Sequence, residues 1–462
     1  MSVLKYKRCL VHKLVSKPWM WLSFKILNLH HLRKLLKIWM FGGFLKLEDA
    51  NFTAMNKSEA SKCEDGVDLI SNMPDSILVL ILSLLSSTEE VIRSSILSRR
   101  WRYLWTSIPS LDLFSRFHRE DKFKKDEFKD FVFWVLANRS VDLDCLHLGC
   151  FDHYTLSTVR RWIHMAVTRN VKQLQLMFYP EDEDGDVEIP HCLVTCGSLE
   201  ILGLNVSYRS LRLPNITGFQ ALRHLRLTYV DLSIDSDLVK GFLESFPLLE
   251  GLIFISCFLN ERDLLYISCP KLKILRIENE NDELMCDSIK ICCPKLVDLE
   301  LRGLLANNFF FECLDSLNKA EIEPKLIGNI KSVLFPGISH VEHLWIDLYF
   351  FSQCVYAARD PALPNLKTLA LTTGVDAFTM DELIRILKYY PKVESLQLIL
   401  KEKFYGPEEW ELHEGEARRL MTPDVKRVEL FEYNGEKPKL VSDWQEDIYM
   451  EMVFSWGTKA KI

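Results

Sequence analysis

One pattern constrains this chain more than any other feature: apolar residues at i, i+3 and i+5 that return along most of its length. The copies read Leu143-Leu146-Leu148, Val171-Leu174-Leu176, Leu199-Leu202-Leu204, Leu222-Leu225-Leu227, Leu249-Leu252-Phe254 and Leu272-Leu275-Ile277. They continue as Leu296-Leu299-Leu301, Leu317-Ala320-Ile322, Val341-Leu344-Ile346, Leu366-Leu369-Leu371, Val393-Leu396-Leu398 and Val425-Val428-Leu430. Successive copies start 21 to 32 residues apart. The copy at Leu317 diverges most, because Ala320 replaces a larger residue. A fixed period of this kind means a stacked array, in which one unit cannot bury its apolar face and neighbours complete the core.

The period and spacing are those of leucine-rich repeats. They predict an α/β fold: a curved solenoid whose short strands form a concave parallel sheet, each followed by a helix or irregular turn on the convex side. Proline marks the same offset before several strands, in Phe246-Pro247-Leu248-Leu249, Cys269-Pro270-Lys271-Leu272, Cys293-Pro294-Lys295-Leu296, Leu363-Pro364-Asn365-Leu366 and Tyr390-Pro391-Lys392-Val393. Proline resists continuation of a helix, so it closes the convex segment before the strand begins. The residue ahead of it is expected to plug the convex layer, which accounts for several cysteines without invoking chemistry.

Such an array offers a long sheet face to a partner. Exposed strand positions are expected at Glu200, Arg223, Arg226, Lys273, Arg276, Glu300, Arg302 and Lys367. Their signs are mixed, so no single class of charged ligand is indicated. Arg223, Arg226, Arg276 and Arg302 are the candidate substrate-binding residues, each weighed against an ordinary role as a solvated strand position.

Ahead of the array lies a helical stretch. Pro74 and Asp75 are helix-start residues, and Ile77, Leu78, Ile81, Leu82 and Leu85 follow as an apolar stripe. Ser87-Thr88-Glu89-Glu90 has the form of a capping box and opens a second helix carrying Val91, Ile92, Ser95, Ile96 and Leu97. A basic, aromatic turn, Ser98-Arg99-Arg100-Trp101-Arg102-Tyr103-Leu104-Trp105, closes the unit. Three short helices carry more apolar stripe than they can bury among themselves, so a neighbour must cover the surplus.

This stretch resembles an F-box of the plant F-box/leucine-rich-repeat type. The residues that carry the likeness are Asp68-Leu69-Ile70-Ser71, Met73-Pro74-Asp75, Ile77-Leu78, Ile81-Leu82-Ser83, Leu85, Leu97-Ser98-Arg99-Arg100-Trp101-Arg102 and Leu104-Trp105. Met73 stands where the family usually has leucine, and Ser86 where it usually has proline. The resemblance implies a Skp-type adaptor as partner and, through it, a cullin–RING ubiquitin ligase. Adaptor-binding candidates are Pro74, Ile77, Leu78, Ile81, Leu82, Val91, Ser95, Leu97, Trp101 and Trp105, some of which must instead form the module's own core. Residues 361–435 resemble the FBD-associated region of such proteins, through Leu363-Pro364-Asn365-Leu366-Lys367-Thr368-Leu369, Val425-Lys426-Arg427-Val428-Glu429-Leu430 and Gly435.

Residues 1–46 carry ten Lys or Arg and no acid. They read as an upstream extension, with membrane-surface or organelle targeting as the competing reading. The net charge of −7 argues against a dedicated nucleic-acid partner. No uncharged apolar run is long enough to predict a spanning helix. The thirteen cysteines, without an export signal, read as reduced intracellular thiols. His191, Cys192 and Cys196 lack a zinc-site spacing, and the acidic run from Glu181 to Glu188 lacks that of a calcium loop. No metal, cofactor or catalytic residue is expected.

The expected divisions are an extension at 1–60, an F-box at 61–110, a helical connector at 111–140, repeats at 141–360, C-terminal repeats at 361–435 and a tail at 436–462. The functional expectation is a non-catalytic substrate-recognition subunit of an SCF-type ubiquitin ligase, in the nucleus or cytoplasm. The alternative is a repeat scaffold that does not drive degradation, membrane-associated through residues 1–46.

Overall fold

A computed structural model of the chain describes residues 73–85, 87–114, 125–180, 186–214, 218–233, 236–260, 263–325, 329–358, 362–373, 377–401, 425–433 and 438–445. The expectations for the basic extension, for Asp68 to Ser71, for acidic residues 181–185 and for residues 446–462 lie outside the described residues. The chain divides into two compact units, residues 1–181 with 196–199, and residues 182–195 with 200–462.

The first unit opens with helix α1 (Asp75–Leu82), helix α2 (Thr88–Arg93) and two 3-10 turns, Ser94–Ile96 and Trp101–Ser107. Pro74 sits at the N-cap of α1, and the Ser87 hydroxyl accepts from the Glu90 N–H at 3.3 Å, the first half of the expected capping box. Strand β1 (Ser110–Phe114), helix α3 (Lys125–Ala137), strand β2 (Cys145–Tyr154), helix α4 (Leu156–Val167) and strand β3 (Gln173–Pro180) follow. Helix α4 shows why such segments fold as they do. Thr155 caps it, and Val159, Trp162, Ile163 and Ala166 form its buried stripe at helical spacing.

β1, β2 and β3 pair in parallel, with Leu111 opposite Leu146 and Leu146 opposite Leu174. The segment 111–140, expected as a helical connector, therefore begins inside a strand. Ile108, Leu111 and Leu113 follow the repeat spacing, and all three are buried.

Among its described residues the second unit carries ten parallel strands in line: β5 (Ile201–Arg212), β6 (His224–Asp231), β7 (Gly251–Ile255), β9 (Ile274–Asn279), β11 (Asp298–Gly303), β13 (Lys319–Pro324), β14 (His343–Asp347), β15 (Thr368–Thr373), β16 (Ser395–Lys401) and β17 (Arg427–Tyr433). The line does not close into a barrel. β18 (Pro438–Gln445) adds antiparallel to β17, so part of the expected tail extends the sheet. Short β4 (Val187–Glu188) pairs with β5. The three apolar residues of each copy through Val393-Leu396-Leu398, and Val425 and Val428 of the last, are buried, and Leu225, Leu252, Leu275, Leu299, Ala320, Leu344, Leu369, Leu396 and Val428 form one row in register. Each buried leucine contributes about 1.5–3 kcal/mol, so the row is a large share of the unit's stability.

The opposite layer holds helices α5 (His191–Val194), α6 (Ser236–Glu244), α7 (Ile330–Gly337), α8 (Leu348–Ala357) and α9 (Ala377–Tyr389). Between α6 and α7 in sequence it is built instead from β8 (Leu264–Ile267), β10 (Ser288–Cys292) and β12 (Asn308–Glu312), a second parallel sheet ordered β12-β10-β8. The return segments were expected to be helical or irregular. These three are strands because apolar residues alternate along them: Leu265, Ile267, Ile289, Ile291 and Phe309 are buried and their neighbours are not. Phe246, Cys269, Cys293, Leu363 and Tyr390, the residues ahead of the prolines, are all buried.

Two devices hold the strand ends. At the exit edge, Tyr229, Ser256 and Gly303 take equivalent positions with φ of 51°, 46° and 86°, so the chain turns through the left-handed region as it leaves the sheet. A Cβ at residue 303 would collide with the Asn279 carbonyl. At the entry edge, the residue after the first apolar position alternates in charge. It is Glu200, Arg223, Glu250, Lys273, Val297, Asn318, Glu342, Lys367, Glu394 and Lys426 through the second unit. Arg223 and Lys273 both reach Glu250 at 2.6 Å, and Lys367 reaches Glu342 at 2.9 Å. In the first unit Lys172 reaches Asp144 at 2.7 Å.

Candidate functional site

The helical module separates the ten adaptor-binding candidates into two groups. Leu78, Leu82, Val91, Trp101 and Trp105 are buried. Pro74 and Leu97 are exposed, and Ile77, Ile81 and Ser95 are half-buried. The inner group is held by neighbours in the same unit. Trp105 stacks on Trp134 at 4.8 Å, its carbonyl accepts from Arg139 Nη1 at 3.1 Å, and the Thr88 hydroxyl accepts from the Asp112 N–H at 2.7 Å. Arg100 ties the closing turn to the start of α1, donating from Nε to Asp75 Oδ1 at 2.7 Å and from Nη2 to the Met73 carbonyl.

Three exposed apolar residues join the outer group: Leu80 at 54%, Ile96 at 60% and Tyr103 at 68% of full exposure. Leu80 follows Ile77 by one helical turn and adjoins Ile81, so α1 presents a continuous apolar strip outward. The sequence signal for these three was a stripe too wide for one buried face.

The outward face of the second unit's sheet holds a polar network. Arg276, Glu300, Glu321 and Trp345 stand in one register row on β9, β11, β13 and β14, and Glu278, Arg302 and Glu323 in the next. Arg276 Nε lies 2.5 Å from Glu300 Oε2, and Arg302 Nε lies 3.2 Å from Glu300 Oε1. Arg302 also pairs with Glu321 and stacks over Trp345, whose centroid lies 5.5 Å from its guanidinium carbon. Trp345 Nε1 donates to Thr372 Oγ1 at 2.7 Å, and that hydroxyl donates to Glu323 Oε1 at 3.0 Å.

Glu300 was expected to be exposed. It is buried, because the two guanidiniums cover it. Burial also raises the Glu278 carboxyl above its ordinary value, with Arg302 opposing the shift. Of the four candidate arginines, Arg276 and Arg302 meet through Glu300. Arg226 stands exposed on the same face, and Arg223 belongs to the entry-edge ladder with Glu250. Sequence reading missed Glu321, Glu323, Trp345 and Thr372, because only strand register shows that they converge.

The remaining candidates hold no constellation. Cys196 is buried, with its thiol 3.3 Å from Ser198 Oγ. Among the described residues no group of three metal-ligating side chains is present, and no helix is long and apolar enough to cross a membrane.

Comparison with known proteins agrees with this architecture. The family model described as "At1g61320/AtMIF1, LRR domain" matches residues 136–435, and the F-box domain model matches residues 70–113. The chain belongs to the F-box/leucine-rich-repeat family. Its relatives include F-box/LRR-repeat protein At3g26922 of Arabidopsis thaliana, 32% identical over 273 residues, 58% of this chain and 84% of that one. The FBD-associated F-box protein At5g22730 of the same plant is 25% identical over 438 residues, covering 87% of this chain and 89% of the relative. F-box/LRR-repeat protein 13 is 29% identical over 347 residues, 68% of this chain and 73% of the relative. An F-box implies a Skp-type adaptor as partner in general, and proteins of this family are typically non-catalytic adaptors.

Proposed function

We propose that this chain is the substrate-recognition subunit of an SCF-type cullin–RING ubiquitin ligase. The observation that carries the reading is the outer apolar surface of the F-box, formed by Pro74, Ile77, Leu80, Ile81, Ile96, Leu97 and Tyr103, on a module whose core is already filled by Leu78, Leu82, Val91, Trp101 and Trp105. A filled core with apolar residues left outside is the arrangement of a docking surface. A Skp-type adaptor would cover it. The sheet face around Arg276 and Arg302 would hold a protein substrate, with Arg226 as a further contact. The ligase then gains from holding target and ubiquitin carrier close together, with the bond-forming chemistry on other subunits.

The test is co-purification of the full chain with a Skp-type adaptor. Ile96→Asp combined with Leu97→Asp should abolish recovery of the adaptor while leaving the circular dichroism spectrum and melting temperature unchanged. Undiminished recovery would refute the assignment of this surface. The same reading places the chain in the nucleus or cytoplasm, which cell fractionation checks.

A further inference from the structure

The described residues include ten free cysteines whose surroundings differ sharply. Cys196, Cys257, Cys269, Cys286, Cys293 and Cys354 are buried. Burial pushes Cys257, Cys269 and Cys286 up to about 12, and Cys293 up to about 11. The thiolate is the reacting form, so these thiols are inert. Cys313 alone among the ten is exposed.

Cys313 stands next to a second thiol. β10 and β12 are parallel neighbours, with Cys292 at the end of one opposite Glu312 at the end of the other. Continuing the strand alternation would point residue 313 to the face opposite Cys292. Cys313 instead takes φ of 51° and leaves the strand geometry one residue past the position opposite Cys292, close enough for the two thiols to act on each other electrostatically. Cys292 is half-buried, and desolvation holds its thiol above the ordinary value, so the exposed Cys313 is the thiol that attacks first. Lys290, two residues before it and on the same face, pairs with Glu312 at 2.9 Å. This leaves one thiol open to solvent, a partner beside it, and a cation next to the partner.

We propose that Cys292 and Cys313 are a thiol–disulfide modification site that closes to an intramolecular bond on reaction with a low-molecular-weight disulfide such as oxidised glutathione. The Cys313 thiolate attacks one sulfur of the small disulfide, forming a mixed disulfide and expelling one thiolate. Cys292 then loses its proton, attacks the Cys313 sulfur and expels the second thiolate. The two protein thiols give up two electrons and two protons in all, and the small disulfide becomes two thiols. The product staples β10 to β12 just before Leu314 and Leu317, which lead into β13 and its Glu321. Oxidation would stiffen the outer layer behind the strand that supplies part of the sheet-face network.

The test treats the reduced full chain with oxidised glutathione, blocks residual thiols with an alkylating agent, and maps disulfides by peptide mass spectrometry without reduction. The expected product is a Cys292–Cys313 peptide pair lighter by two hydrogens, cleaved by a dithiol reductant, with the buried cysteines unmodified. Native protein carrying it should melt higher, reversing on reduction. Cys292→Ser should leave a persistent glutathione adduct on Cys313, and Cys313→Ser should reduce the linked species to background. A stable adduct on Cys313 in the unsubstituted chain, with Cys292 still free, would overturn the proposal. So would bonds from either residue to a different cysteine.

Discussion

The division of the F-box into core and surface makes a quantitative contrast between two leucines. Leu82 is 1% exposed, and truncating it to alanine removes buried methyl groups and leaves a cavity. Such changes cost about 2–5 kcal/mol of folding stability. Leu97 retains 45% of its exposure, so truncation there changes folding stability only slightly, within about 0.5 kcal/mol. Its cost should appear in docking. Full burial of a leucine contributes about 1.5–3 kcal/mol, and the exposed part of Leu97 therefore about 1 kcal/mol. Since about 1.4 kcal/mol is tenfold in affinity, Leu97→Ala should weaken adaptor binding roughly fivefold. Adding Ile96→Ala, at 60% exposure, should bring the loss to about 2 kcal/mol, roughly thirtyfold. Denaturant unfolding and calorimetric titration with the adaptor separate the two quantities. The reasoning fails if Leu97→Ala unfolds the module, or if Leu82→Ala leaves it as stable as the parent.

Gly303→Ala should destabilise the second unit by about 2–4 kcal/mol in denaturant unfolding, from the left-handed backbone and the collision with the Asn279 carbonyl together. Arg302→Ala leaves the buried Glu300 and Glu321 with less compensation. It should cost about 2–4 kcal/mol, partly relieved by a second change, Glu321→Gln. The Glu250 carboxyl is held below its ordinary 4.5 by hydrogen bonds from Lys273 and Arg223. Its contribution to stability is therefore present above that value and lost as pH falls through the depressed one. Glu250→Gln should reduce stability at neutral pH, and unfolding curves for the two proteins should converge in acid.

Most of the sheet was legible in the sequence because its inward positions obey one geometric demand. Each strand begins two residues after the first apolar residue of its copy, and even the Ala320 copy holds its register between Leu299 and Leu344. The strand at Ser110–Phe114 escaped notice because isoleucine opens its pattern and a long helical segment separates it from the next copy. The small outer sheet escaped because the repeat period says where the chain must return but not in what form. Only the local alternation around Ile289 and Ile291 decides that. Within the F-box, stripe spacing named the apolar residues but could not say which face the connector would cover. Trp134, far along the chain, stacks on Trp105 and settles part of that division. The network around Arg302 was the least visible, since Glu321, Trp345 and Thr372 are 19, 43 and 70 residues away from it and converge only through register.

The alternating charges at the strand entries act as a parity check on the stack. From Glu200 to Lys273, and again from Glu342 to Lys426, each repeat meets a neighbour of opposite sign, while Val297 and Asn318 leave a neutral gap between the two runs. Sliding one run past its neighbours by a single repeat sets glutamate against glutamate. Sliding it by two restores every attraction. Loss of one whole repeat from within a run is therefore penalised electrostatically in a way that loss of an adjacent pair is not. Between the two runs, the neutral gap lets an odd number of repeats be accommodated without like charges coming face to face.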